Sequence, residues 1–147
     1  MKTLLFACIT FPLLPSAQQN MKIKAISAEE LLRPSASYSH ALVVDNLVFV
    51  AGQAGVDFST GKTDPDFEKQ ARQAFDNLKK VLESSGSDMS RVVKTTVWLK
   101  DARDFEKLNA LYKEYFPKNP PARSTPIVDL PRPEFKISIE AVAVVKQ

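Results

Sequence analysis

The strongest constraint on this fold is a predicted sheet whose strands carry apolar side chains on both faces. Two such strands are predicted near residues 92–100 and 135–145, which are rich in Val, Ile and Thr. Alternation along the first strand predicts one face with Val93, Val97 and Leu99, and an opposite face with Val92 and Trp98. Only two amphipathic helices are predicted, and both are expected on one face. Because the other face must also be buried, the sequence predicts a closed homo-oligomer.

The order of the predicted elements indicates an α+β fold with a split βαβ pattern. A hairpin is predicted over residues 42–51, because Asp45 and Asn46 tolerate the positive φ that a two-residue turn needs. The last two strands are predicted near residues 122–128 and 135–145. The resulting order is strand, strand, helix, strand, helix, strand, strand, which places two helices against a mixed sheet.

Both helices are predicted from capping residues and from apolar stripes at spacings of three and four. For the first helix, we expect Asp64 as the N-cap, Pro65 at the first helical position and Gly86 at the end. The second helix is expected to begin at Asp101 or Asp104. The stripes consist of Phe67, Ala71, Phe75, Leu78 and Leu82 in the first helix, and of Phe105, Leu108, Tyr112 and Tyr115 in the second.

The N-terminus has the pattern of a secretory signal peptide. Lys2 precedes a short apolar run, and small residues follow, which predicts cleavage near Ala17. Residues 1–20 are thus expected to be a signal peptide and leader, and residues 21–147 a single domain of an exported protein. The alternative is a cytoplasmic protein that starts at Met21. A mature chain without cysteine suits either compartment.

Composition argues against several classes of function. The chain has one cysteine, Cys8, and one histidine, His40, too few for a zinc site or a Ser-His-Asp triad. We expect His40 to be structural. With four glycines and no glycine-rich loop, a nucleotide cofactor is not expected. The net charge of +3 is spread along the chain, so nucleic acid is not an expected partner. The N-terminal apolar run is too short to span a bilayer.

Two charged residues accompany the apolar strands near the C-terminus. Arg123 follows a proline pair at the start of one strand, and Glu140 lies within the other, on the same face as Ser138, Val142 and Val144. Charges in such places are costly unless they are paired or used. A guanidinium matches a carboxylate with two parallel hydrogen bonds, and a glutamate can hold or deprotonate a water molecule. Residue types alone leave a structural ion pair and a small catalytic site equally open.

From about Met21 to the C-terminus, the chain resembles the RidA/YjgF family of imine and enamine deaminases, also called L-PSP-type proteins. The resemblance rests on several short motifs, at residues 38–39 (YS), 50–53 (VAGQ), 70–77 (QARQAFDN), 93–97 (VKTTV), 121–124 (PARS) and 139–143 (IEAVA). It implies a homotrimer of a chorismate-mutase-like α+β fold with clefts between subunits. It also implies hydrolysis of 2-imino acids and their enamine tautomers, such as 2-aminoacrylate, to 2-keto acids and ammonia without a cofactor.

The resemblance also assigns roles by position. Arg123 matches the residue that binds the substrate carboxylate, and Glu140 matches the acid that positions the attacking water. Tyr38 and Asn109 match pocket residues. Ala51 stands where members often have Ser or Thr, and Thr125 stands where they often have Cys. These two departures leave the preferred substrate open. Two other functions remain: a non-catalytic module that binds small carboxylates such as keto acids, and, less favoured, a ribonuclease.

Overall fold

The computed structural model describes residues 21–27 and 38–146, and the predicted leader lies outside this part of the chain. The strands are β1 (Ile23–Ile26), β2 (Ala41–Val44), β3 (Leu47–Ala54), β4 (Val56–Asp57), β5 (Lys62–Thr63), β6 (Val92–Leu99), β7 (Ala122–Ser124) and β8 (Ile137–Val144). The helices are α1 (Phe67–Ser84) and α2 (Phe105–Tyr115). Six strands form one sheet in the order β1-β2-β3-β8-β6-β7, where only β6 and β7 pair in parallel. The predicted α+β class is confirmed.

The predicted hairpin is confirmed as β2 and β3. Its turn contains Asp45 at φ 52°, a left-handed conformation that aspartate tolerates better than most residues. The sequence reading missed the short hairpin of β4 and β5, because two residues per strand produce no periodic pattern. The turn between them contains Gly61 at φ 70°, a left-handed conformation that suits glycine.

Helix α1 begins two residues later than its sequence predicted. The N-cap is Asp66, whose side chain accepts a hydrogen bond from the backbone N–H of Lys69 at 3.0 Å. Asp64 instead accepts from the N–H of Asp66 at 2.8 Å, so its side chain closes a turn ahead of the helix. The predicted end is confirmed, since Gly86 adopts φ 75° just after the helix.

A short 3₁₀ turn, Ala102–Asp104, leads directly into α2. Asp101 caps this turn by accepting from the N–H of Arg103 at 2.9 Å, while Asp104 makes no side-chain cap hydrogen bond. Of the two starts that were predicted, Asp101 therefore opens the helical segment. The helix ends two residues before Pro117, as expected.

The predicted faces of β6 are wrong at its first residues. Val92 is 6% exposed and Val93 is 49% exposed, so Val92 rather than Val93 shares the buried face with Val97 and Leu99. The register with β8 shifts between Val92 and Lys94, which marks a bulge. A bulge inserts a residue and thereby reverses the alternation on one side of it.

One face of the sheet packs against the helices and forms the core. Phe75 of α1 is fully buried and stacks on Tyr115 of α2, with ring centroids 4.4 Å apart. The predicted stripe of α1 is buried throughout, and so is the inner row of β8, which consists of Ile137, Ile139, Ala141 and Ala143. The predicted faces of β8 are thus confirmed.

The other side of the sheet, here called the open face, is the side away from the helices. Leu42 and Phe49 on this face are 40% and 43% exposed, and the outer row of β8 is partly exposed. Such apolar exposure over a sheet is what the sequence predicted for a face that another subunit covers.

Within residues 21–27 and 38–146, no helix is long and apolar enough to cross a membrane.

Phe75→Ala is expected to lower the free energy of unfolding by about 3–5 kcal/mol, because the truncation leaves a cavity between the helices. Chemical denaturation at fixed protein concentration measures the change. Lys79→Ala, on the exposed side of the same helix, is the control and should change stability by less than about 0.5 kcal/mol. Equal effects of the two variants would contradict the described core.

Candidate functional site

Strand β7 places Arg123 beside α2 at the edge of the sheet. Arg123 pairs with Thr95 of β6, whose side chain is buried on the helix side, so Arg123 lies on that side as well. Its Nη2 donates a hydrogen bond to Oδ1 of Asn109 at 2.7 Å. The guanidinium carbon lies 4.6 Å from the ring centre of Tyr112 and 5.7 Å from that of Phe105. Three side chains of α2 therefore orient this partly buried cation.

The ring of Tyr112 is itself held in place. Its hydroxyl shares a buried hydrogen bond of 2.7 Å with Oγ1 of Thr95. Burial raises the pKa of the Tyr112 hydroxyl, so the phenol stays neutral near pH 7. A neutral ring that faces the guanidinium stabilises it through a cation–π interaction. The side chains of Tyr112 and Thr95 thus connect the guanidinium of Arg123 to the buried core.

The strand that carries Arg123 is short. It pairs with β6 over three residues, and Lys94 Nζ donates a hydrogen bond to Ser124 Oγ at 2.7 Å. Thr125 follows directly and is partly buried. Because Arg123, Asn109 and Thr125 lie on one side of the sheet edge, we call them the arginine half-site.

Glu140 lies on the open face, within β8. It pairs with Thr96 of β6 and lines a recess of about 200 Å³ together with Phe49 and Lys94. The carboxylate is partly exposed in this chain. The prediction that Glu140 belongs to the outer row of the last strand is confirmed.

A bulge in β3 places two further residues beside Glu140. The register with β8 shifts between Val50 and Gln53, so that Ala51 and Gly52 together oppose Glu140. Bulges often occur next to active sites, where they redirect side chains. The bulge therefore displaces the backbone at Ala51, which the sequence analysis named as a candidate site residue.

Tyr38 and Ala51 line a second recess on the open face, of about 380 Å³. Phe49 borders both this recess and the recess of Glu140. Because Glu140, Ala51 and Tyr38 lie around one apolar side chain, we call them the glutamate half-site.

The two half-sites lie on opposite faces of the sheet. Arg123 is in register with Thr95 and Glu140 with Thr96, and neighbouring residues of a regular strand point to opposite sides. Arg123 and Glu140 of one chain therefore neither pair with each other nor share a pocket. That Arg123 faces the helix side depends on a parallel pairing between distant segments, which the sequence pattern does not determine.

The sequence reading missed a larger cleft of about 810 Å³. It lies between the loop after β7 and the end of the open face, and its lining includes His40, Gln53, Trp98, Arg132 and Phe135. His40 is 4% exposed, which agrees with the structural role expected for it. The aromatic and proline content of residues 128–135 was the sequence signal that could have indicated a wall of this cleft.

The part of the chain that the structure describes contains no cluster of metal ligands. Among residues 21–27 and 38–146, no three His, Cys, Asp or Glu side chains lie close enough together to hold a metal ion. The chemistry available in the two half-sites is that of a guanidinium, an amide, a carboxylate and hydroxyl groups.

Comparison with known proteins identifies the family. The family model described as Endoribonuclease L-PSP matches residues 28–145, most of the chain. The chain belongs to the RidA/YjgF family. The match spans both half-sites, and the fold seen here is the fold of this family.

Relatives in the family carry more than one name. The rat 2-iminobutanoate/2-iminopropanoate deaminase is 42% identical over 123 residues, which cover 82% of this chain and 89% of that protein. A RutC family protein of Pyrococcus abyssi is 39% identical over 84% of this chain and 98% of its own length. The crystal structure of the Escherichia coli YjgF gene product matches with a TM-score of 0.78 and 37% identity, over 84% of this chain and 99% of that chain.

Tyr112→Phe is expected to lower the free energy of unfolding by about 1–3 kcal/mol, because it leaves the buried hydroxyl of Thr95 without its partner. Adding Thr95→Val removes that unpaired group, so the double variant should be more stable than Tyr112→Phe alone. Thermal and chemical denaturation measure the three variants. Strictly additive losses would show that the two hydroxyl groups do not interact.

Proposed function

We propose that this protein hydrolyses reactive 2-imino acids and their enamine tautomers to 2-keto acids and ammonia, without a cofactor. The names of the mammalian relatives, 2-iminobutanoate/2-iminopropanoate deaminase, support this activity. The observation that carries the proposal is the oriented guanidinium of Arg123, bonded to Asn109 and stacked on Tyr112. Such a fixed, partly exposed fork suits a small carboxylate.

We further propose that the complete site forms between two copies of the chain in a homotrimer. Arg123 and Glu140 serve one substrate only if one copy supplies the arginine half-site and another supplies the glutamate half-site. The half-exposed apolar open face favours such an assembly, because a second copy would remove Leu42 and Phe49 from water. The resemblance to the RidA/YjgF family, which implies a homotrimer, supports the same arrangement.

In this site, Arg123 binds the carboxylate of the substrate. One guanidinium nitrogen already donates to Asn109, which fixes the plane of the group and leaves other N–H donors for the ligand. Binding the carboxylate places C2 of the imine at a defined position, which lowers the entropic cost of the reaction. Thr125, two residues further along the chain, completes the arginine half-site in this proposal.

Glu140 of the other copy activates water. The carboxylate accepts a proton from a water molecule as the water oxygen attacks C2, and the imine nitrogen gains a proton from solvent, so that a carbinolamine forms. The protonated Glu140 then gives its proton to the departing nitrogen as the C–N bond breaks, and the carbinolamine hydroxyl releases its proton to solvent. The products are a 2-keto acid and ammonia, and Glu140 is again ionised.

Two other functions use the same residues differently. A module that binds keto acids would need Arg123 but would not accelerate hydrolysis. A ribonuclease is named by the description of the family model, yet the two half-sites present a single arginine with one carboxylate rather than a basic groove. Measuring imine hydrolysis together with keto acid binding distinguishes the deaminase from the binding module.

Arg123→Ala is expected to reduce kcat/KM for imine hydrolysis by about 10- to 100-fold, because a charge-assisted hydrogen bond to the substrate is lost. An amino acid oxidase supplies the imine, and keto acid release above the uncatalysed rate is measured. Arg103→Ala removes the same charge from an exposed site and is the control. Wild-type protein that matches the uncatalysed rate for every imine, while still binding a keto acid, would establish the binding module instead.

Sharing of the site between copies is expected to appear as complementation. Arg123→Ala and Glu140→Gln should each lose most of the activity when tested alone. When equal amounts are unfolded and refolded together, about a quarter of all sites combine an intact Arg123 with an intact Glu140, so activity should return. Mixing without refolding is the control. If the refolded mixture stays as inactive as its components, each site belongs to one chain.

A further inference from the structure

The recess beside the glutamate half-site has a distinct chemical character. Its volume is about 380 Å³, and it is lined by Tyr38, Ser39, Leu42, Phe49, Val50 and Ala51. None of these side chains is charged. Ala51 contributes only a methyl group to the wall, directly beside the bulge that opposes Glu140.

We infer that this recess receives the side chain of the substrate, and that the protein favours 2-imino acids with large apolar side chains over the imine derived from alanine. This inference rests on the proposed deamination, because Glu140 must mark the reacting carbon. The preferred substrates are then imines with branched aliphatic or aromatic side chains, such as those derived from leucine or phenylalanine.

The position of the recess is the first argument. Phe49 and Val50 line both this recess and the recess of Glu140, so the two are continuous along β3. A substrate whose C2 lies near Glu140 can therefore place its side chain against Ala51 without crossing another residue. A copy that brings Arg123 towards Glu140 would also enclose this recess and exclude water from it.

The lining is the second argument. Burying a side chain as large as leucine or phenylalanine in apolar surroundings is favourable, because it removes a large apolar area from water. The imine of alanine would leave the recess open and gain little. Charged side chains would lose their hydration without finding a partner, which disfavours imines of acidic and basic amino acids.

The larger cleft on the same face is the competing position. It contains apolar side chains such as Trp98 and Phe135, but also the charged residues Arg132 and Asp129, which the recess lined by Ala51 lacks. Ala54 lies on the same strand as Ala51 and lines this cleft rather than the apolar recess. The two alanines thus form a matched pair for mutation.

The experiment measures kcat/KM for imines generated from alanine, leucine and phenylalanine by an amino acid oxidase, with keto acid release as the readout. Wild-type protein is expected to prefer the leucine-derived imine over the alanine-derived imine by about tenfold or more. Ala51→Leu fills the recess and should reduce that ratio by about tenfold, chiefly through loss of activity on the leucine-derived imine. Ala54→Leu should leave the ratio unchanged.

Leu42→Ala provides a second test, because it removes apolar wall instead of adding volume. It should also reduce the preference for large side chains, as measured on protein that keeps the oligomeric state of the wild type. A wild-type enzyme that favours the alanine-derived imine would overturn the inference, as would a ratio that responds to Ala54→Leu and not to Ala51→Leu. Absence of hydrolysis with every imine would instead reject the deamination itself, and this inference with it.

Discussion

The structure depends on an imbalance between a sheet with two apolar faces and helices that cover only one of them. Packing of α1 and α2 fixes the inner face, where Phe75 is fully buried and stacks on the partly buried ring of Tyr115. The open face keeps Leu42 and Phe49 half in water. Burial of such a face favours association, and the same face carries Glu140. The residue proposed to activate water therefore lies on the surface that most favours contact with another copy.

The inner and outer faces of the sheet were largely predictable wherever the strands are regular. The alternation of β8 placed Glu140 correctly, because no bulge interrupts that strand. The same reasoning failed at Val93, where a bulge reverses the alternation. The predicted cap of the first helix was also wrong, because Asp64 lies two residues before the true cap, Asp66. Local irregularities of one or two residues change the local geometry without leaving a pattern in the sequence.

The residues of the candidate site were predictable, but their arrangement was not. Motifs of the family indicated Arg123, Asn109 and Glu140, and the structure brings the first two within hydrogen-bond distance. That Arg123 and Glu140 face opposite ways follows from the parallel pairing of β7 with β6, a contact between distant segments. Propensity and periodicity act over a few residues and do not determine which strands pair.

The short strand that carries Arg123 has a consequence for how the protein responds to heat. Three paired residues and the hydrogen bond from Lys94 to Ser124 hold β7 to the sheet edge. Strand β8, which contains Ile139, is instead paired with β3 on one side and β6 on the other. Such edges open by local unfolding at a free energy well below that of global unfolding. Amide hydrogens of β7 are therefore expected to exchange with solvent before those of β8. Arg123, which is proposed to bind the substrate carboxylate, would lose its position while the rest of the sheet is still folded. Warming is therefore expected to abolish activity before it unfolds the protein.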